Sequence, residues 1–244
     1  MDAAAQSAAT IGLTPAVRGM ALEVVVTSVA DAAAAAEGGA ARLEVAVQMD
    51  ADGLTPPLAL VQQIQDAVQL PLRVMLRDSP HFTPRHAQEV EHMAATAEAL
   101  ARLGVDGLVL GFLRDGRVDV GLLCRLLAVA PLLAATFHRA FDAAAHPMEA
   151  LAALKTCEQV DYVLTAGGAE SWPERLENWR RWRVLARPEM KVIAAGGLDD
   201  SALRQLRQDT ELRHFHVGRS ARAGADWSQP VSADRVRALC AALA

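Results

Sequence analysis

Thr136-Phe137-His138-Arg139-Ala140-Phe141-Asp142 follows the apolar run Pro131-Leu132-Leu133-Ala134-Ala135, and the junction between the two decides how the chain reads. The run has the continuity of a strand buried on both faces, as strands of a parallel sheet are. It ends by delivering an imidazole, a guanidinium and a carboxylate in quick succession. In parallel α/β folds, the C-terminal ends of strands are where ligands sit.

Outward from that junction the same rhythm repeats. Short β-branched runs alternate with longer helical stretches, the signal for successive βα units. Strands are predicted near Leu22–Thr27, Arg42–Val47, Leu72–Arg77, Gly107–Gly111, Leu133–His138, Tyr162–Thr165, Lys191–Ala195 and His214–Val217. Helices are predicted near 29–37, 57–69, 84–103, 119–130, 147–157, 172–186, 199–209 and 232–243. Asp31, Asp119, Asp199 and Ser232 stand at helix starts, where they can satisfy free N–H groups, and Gly104 stands as a C-cap. Eight such units have the size of a single-domain (β/α)8 TIM barrel, with a doubly wound open sheet as the rival. No linker divides the chain after residue 20, so 20–244 reads as one domain. Residues 1–19, rich in Ala, Ser and Thr, read as a disordered tail, with Met20 as an alternative start.

Composition narrows the partners. A net charge of -5 gives no pull toward nucleic acid or an anionic membrane. No apolar run is long enough to cross a bilayer. The three cysteines, Cys124, Cys157 and Cys240, are far apart and form no CxxC pair. Neither a disulfide framework nor a thiolate metal cage is expected, and a reducing cytoplasm fits.

Chemistry is expected from polar residues that interrupt apolar strands. Side chains alternate along a barrel strand, so every second one points inward. Glu23 and Glu44 break the first two strands, Arg77 closes the third and His138 the fifth. Burying an unpaired carboxylate costs several kcal/mol, so each Glu needs a cation, a metal or a proton. The expected pairs are Glu23 with Arg77, and Glu44 with His138 as an acid/base couple. Asp142 either orients His138 or caps the next helix. His216 ends the last strand, with His214 at the same parity. A His138/His216/Glu44 metal site is a further option. Gly196-Gly197 and Gly218-Arg219-Ser220 follow strands seven and eight, where barrel loops often bind phosphate or another anion. Lys155 and Lys191 sit away from the strand mouths, which argues against a Schiff-base aldolase. Trp172, Leu176, Trp179 and Arg183 share one helical stripe, facing the barrel or a second subunit.

Thr136–Asp142 is also residue for residue the TFHRAFD signature of the CutC family, which the chain resembles over about residues 20–217. Leu22-Glu23-Val24, Arg42-Leu43-Glu44, Val74-Met75-Leu76-Arg77, Gly104-Val105-Asp106-Gly107 and Phe215-His216 occur in the family's order. The resemblance implies a cytoplasmic, often homo-oligomeric TIM barrel carrying a copper-homeostasis label, with the polar residues above at its mouth. Copper binding proposed for some members uses cysteines beside the first two strands; the matching positions here are Val25 and Ala46. The family's Arg-Pro-Arg-Gly-Gly-Asp-Phe is represented only by Arg77 before Asp78-Ser79-Pro80-His81-Phe82, and its Gly-Gly-Gly by Ala195-Gly196-Gly197. Three roles stay open: an acid/base enzyme on a small anionic substrate, a metal-handling protein, and a scaffold that has lost part of its site.

Overall fold

The structure, a computed structural model, describes residues 19–244, so the expected tail lies almost wholly outside it. Eight parallel strands close on themselves: β1 (Ala21–Val26), β2 (Arg42–Val45), β3 (Leu72–Met75), β4 (Gly107–Leu110), β5 (Ala134–Phe137), β6 (Val160–Thr165), β7 (Lys191–Ala194) and β8 (His214–Val217). Each strand hydrogen-bonds its neighbours in chain order, and β8 returns to β1. The (β/α)8 barrel is therefore the fold, and the open sheet is excluded.

Eight α-helices surround the strands: α1 (Val29–Glu37), α2 (Leu58–Ala67), α3 (Ala87–Leu103), α4 (Val120–Ala128), α5 (Pro147–Leu154), α6 (Trp172–Ala186), α7 (Asp200–Asp209) and α8 (Ala233–Ala242). Asp119, Asp199 and Ser232 cap helices as expected, each accepting a backbone N–H with its side chain. Gly104 ends α3 in the left-handed region at φ 76°, which favours glycine. Asp31 is different. Ser28 caps α1, while the buried Asp31 carboxylate accepts from the Thr27 and Val231 N–H groups and pairs with Arg222.

Strand alternation divides the side chains cleanly. Leu22, Val24, Leu43, Val45, Leu72, Val74, Leu108, Leu110, Phe215 and Val217 point outward and join the main core under the helices. Each such burial contributes about 1.5–3 kcal/mol. On α6 the buried stripe is Leu176, Trp179, Trp182 and Ala186; Arg183 instead pairs with Glu211. A helix advances about 100° per residue, so Trp182 takes the inward angle that the sequence reading gave to Arg183. The barrel interior is filled by two small apolar clusters, Tyr162/Leu164/Ile193/Ala195 and Ala46/Met75/Val109, beside the polar residues.

Two glycines, Gly107 opening β4 and Gly111 just past its end, make that polar filling fit. A Cβ on Gly107 would stand 2.3 Å from the Ala134 carbonyl oxygen, with an Arg73 guanidinium nitrogen next at 2.7 Å, and one on Gly111 would stand 2.4 Å from His138 Nδ1. Neither contact is tolerable. The strand yields volume to a cation at one end and an imidazole at the other.

Candidate functional site

The register of three adjacent strands assembles the central cluster. Glu23 on β1 lies level with His216 on β8 and Arg42 on β2. Glu23 Oε2 accepts from Arg42 Nε at 2.5 Å, and its Oε1 lies 2.7 Å from His216 Nδ1. A second carboxylate, Glu44 Oε2, is 3.8 Å from the same Nδ1 and has no hydrogen-bond partner. Both glutamates are buried.

The environments separate the two carboxylates. Burial would raise Glu23, but Arg42 and His216 outweigh it and hold the group at about 2. Glu44 lacks such a partner. Burial, aided by the nearby Glu23 charge and opposed by His216 and Arg42, pushes it up to about 7. Burial alone would lower His216, yet Glu44 and Glu23 together raise it above its ordinary value.

The expected pairings are corrected here. Glu23 takes Arg42 and His216 rather than Arg77, because parity and register bring Arg42 to its level. Arg77, one strand further round and beyond the end of β3, donates to the carbonyls of Ala51, Asp52 and Pro80 and lies 5.0 Å from the Phe82 ring centroid. Burial lowers its pKa. Glu44 and His138 are both buried but form no hydrogen bond with each other. His138 Nδ1 accepts from the Ala140 N–H at 3.1 Å, which leaves the neutral ring's proton on Nε2. Nε2 is buried without a partner. Burial, then Arg77, depresses this ring to about 3, so it stays neutral at ordinary pH. Asp142 neither orients His138 nor caps a helix through its side chain. It accepts from the Thr165 hydroxyl and the Ala166 N–H, locking the turn after β5 to the end of β6, and contacts Arg139 at 3.3 Å.

The late glycine loops are largely engaged in packing. Ser220 Oγ donates to Leu198 O at 2.6 Å, and a Cβ on Gly218 would stand 2.5 Å from Trp227. Arg175, unremarked in the sequence, donates to Ala195 O and Gly196 O and ties this rim to α6. Gly197 (φ 74°) has open space beside its Cα, and Arg219 is exposed.

A cavity of about 260 Å3 opens at the opposite, N-terminal end of the barrel, lined by Glu23, Arg42, Arg73, Asp161, Tyr162 and His214 among others. Arg73 and Asp161 form a two-pronged pair at 2.9 and 2.6 Å. Arg42, Arg73 and Lys191 stand 4.4, 5.4 and 5.6 Å from the ring centroid of Tyr162, the only tyrosine in the chain. Burial, with Arg42 and Lys191, lowers His214 to about 4. Arg42 and Arg73 share the inward parity of Glu44 and Arg77, which is the sequence signal for their place in the barrel.

Among the described residues, Glu23, Glu44 and His216 are the set whose donor atoms lie within 4.8 Å of one another. Two carboxylates and an imidazole suit a borderline divalent ion. They do not suit Cu(I), which favours thiolate and thioether sulfur, and no sulfur belongs to this cluster. His138 is not part of it. No helix among the described residues is long and apolar enough to cross a membrane.

Comparison with known proteins agrees with this architecture. The CutC family pattern matches residues 20–221. A CutC protein of Xanthomonas axonopodis pv. citri (strain 306) is 37% identical over 201 residues, covering 81% of this chain and 82% of the relative. The human relative, named copper homeostasis protein cutC homolog, is 35% identical over 216 residues, covering 88% of this chain and 78% of its own. The CutC structure from Streptococcus agalactiae superposes with a TM-score of 0.75 at 20% identity, over 82% of this chain and 98% of that one. A thiamine phosphate pyrophosphorylase from Pyrococcus furiosus shares the fold alone, with a TM-score of 0.59 at 16% identity over 92% and 96% of the two chains. With TFHRAFD at the end of β5 and the matched span running from β1 past β8, the chain belongs to the CutC family.

Proposed function

We propose that the chain binds a small polar ligand inside the barrel and exchanges a proton with it at Glu44. One observation carries the reading: two buried carboxylates face a single imidazole, and their surroundings hold one at about 2 and the other at about 7. Carboxylates driven apart in this way divide acid/base labour. Glu44 is near half-ionised at neutral pH and so can give or take a proton. Glu23 stays ionised, anchored by Arg42, and fixes His216 through Nδ1. His138 serves as a neutral donor through Nε2 rather than as a base, and Arg77 places a positive charge on the same side of the barrel. The ligand class is a small oxygen-rich molecule that becomes more anionic as it reacts.

A screen of small hydroxy- and oxo-acids, read by thermal shift and by turnover, tests this reading. A compound should stabilise both wild type and Glu44→Gln but be transformed only by wild type, with a rate that turns near pH 7. Equal turnover by Glu44→Gln removes the proton-transfer role.

The clustering of Glu23, Glu44 and His216 donor atoms favours a second reading, in which they hold a divalent ion, in keeping with the copper-homeostasis name of the human relative. Calorimetric titration with Zn2+ and Cu2+ decides it. Binding that survives His216→Ala rejects this reading.

A further inference from the structure

Cys124 and Cys157 are 33 residues apart in sequence, yet their sulfurs stand 3.2 Å apart. Cys124 lies on the outer face of α4 and is exposed; Cys157, just beyond α5, is buried. Folding has thus paired two thiols that no motif joins, one reachable from solvent and one behind it. A disulfide needs the sulfurs at about 2.05 Å, so closure requires an approach of only about 1 Å.

We propose that Cys124 and Cys157 form a reversible disulfide site on the outside of the barrel, oxidised by small thiol disulfides such as oxidised glutathione. The Cys124 thiolate attacks one sulfur of the oxidant, whose S–S bond breaks and releases one small thiolate. The Cys157 thiolate then attacks Cys124 Sγ in the mixed disulfide, forming the protein disulfide and releasing the second small thiolate. Those two thiolates take up the two protons that the cysteines gave up. The protein dithiol loses two electrons and the oxidant gains them.

Geometry assigns the order of attack. Cys124 is the accessible sulfur, while burial and the neighbouring Cys124 push Cys157 up to about 12. Resolution by the buried Cys157 is the slower step because its sulfur is less accessible, and like any thiolate attack it quickens as pH rises. The bridge would close the loop from 124 to 157, which contains β5, His138 and Asp142. Cross-linking a loop of that length restricts the unfolded chain, so the oxidised protein should melt several degrees higher.

The test treats reduced, metal-free protein with oxidised glutathione and counts free thiols. The three thiols should fall to one, with a monomer on a non-reducing gel, a mass lower by two hydrogens and a raised Tm. Dithiothreitol should reverse all of these. Cys124→Ser should keep both remaining thiols free, and Cys157→Ser should stop at a persistent glutathione adduct on Cys124. An unchanged thiol count, a stable adduct on wild type, or a covalent dimer would each overturn the site. Should Cys157→Ser fail to fold, Cys124→Ser and the wild-type mass suffice.

Discussion

Towards the N-terminal end of the barrel the half-buried Arg42 faces Glu23 and the buried Arg73 faces Asp161, around a cavity of about 260 Å3. Towards the C-terminal end Arg77 faces three carbonyls and the Phe82 ring, while His138 is neutral and leaves Nε2 without a partner. One end balances charge in salt bridges; the other holds a cation hydrogen-bonded to carbonyls, with the Asp52 charge nearby but not paired to it, and a neutral donor. Barrels of this kind keep chemistry at the C-terminal face and stability at the other. The difference teaches that the open cavity is not by itself the site. Buried polar atoms without partners occur at both ends, Arg73 Nε and His214 Nδ1 beside the cavity and Glu44 Oε2 and His138 Nε2 beyond it, and the last two are the ones the proposed function uses.

The largest effect expected from this contrast is at Glu23. Glu23→Ala removes a buried carboxylate and leaves the half-buried Arg42 guanidinium and His216 without their shared partner, so stability should fall by about 3 kcal/mol in urea unfolding. Arg77→Met removes a cation whose partners are carbonyls rather than a carboxylate, and should cost about 1–3 kcal/mol. Equal losses would break the contrast between the two ends.

How far the sequence could reach is visible in these same residues. Eight apolar runs at regular spacing call for a parallel sheet buried on both faces and have the count of a barrel; closure itself, against the open-sheet rival, is settled by the pairing of β8 with β1. Strand parity likewise puts Glu23, Glu44, Arg77 and His138 inside. Pairing was not legible, because it depends on register. Glu23 lies level with Arg42 on β2, while Glu44 lies level with Arg73 on β3, so Arg77 stands both a strand further round and well above Glu23, and nothing local encodes that register. Asp142 shows the same limit: its partners, Thr165 and Ala166, lie on the next strand. The thiols of Cys124 on α4 and Cys157 just past α5 lie 33 residues apart in sequence and meet only in the fold.

The next effect is a pH dependence at Glu44. In the unfolded chain its carboxyl releases a proton near 4.5, and in the fold near 7. Between these values the folded state binds more protons, so this group's contribution to stability is full below about pH 4.5 and lost as pH rises toward 7. The loss is at most about 3 kcal/mol. Glu44→Gln should abolish that fall, so the difference between variant and wild-type unfolding free energies should grow across this window. His138 works the other way: its depressed value removes stability as pH falls from about 6.5 toward 3. A flat difference curve would mean that Glu44 is already ionised in the fold.

A smaller effect probes the space that β4 yields. Gly111→Ala sets a methyl against the His138 ring, and the ring must move off its Ala140 contact. A loss of about 1–3 kcal/mol is expected, together with a changed 15N shift at His138 Nδ1 as its hydrogen bond is lost. An unmoved shift would mean the ring is less confined than the 2.4 Å clearance requires.

The smallest effect should come from Asp161, although its two-pronged contact with Arg73 is geometrically the better made of the two N-terminal pairs. Its side chain is 38% exposed against 2% for Glu23, so water and salt share the charge before and after the contact forms. Solvent screening holds such a pair to about 1 kcal/mol or less. Asp161→Asn should therefore shift unfolding by under about 1 kcal/mol, and the shift should shrink further in about 1 M salt, where charges are screened over a few ångströms. Glu23→Ala should lose little of its effect in the same salt. If the two substitutions respond to salt alike, burial does not separate these pairs, and the N-terminal cavity reaches further toward Glu23 than its side-chain exposure indicates.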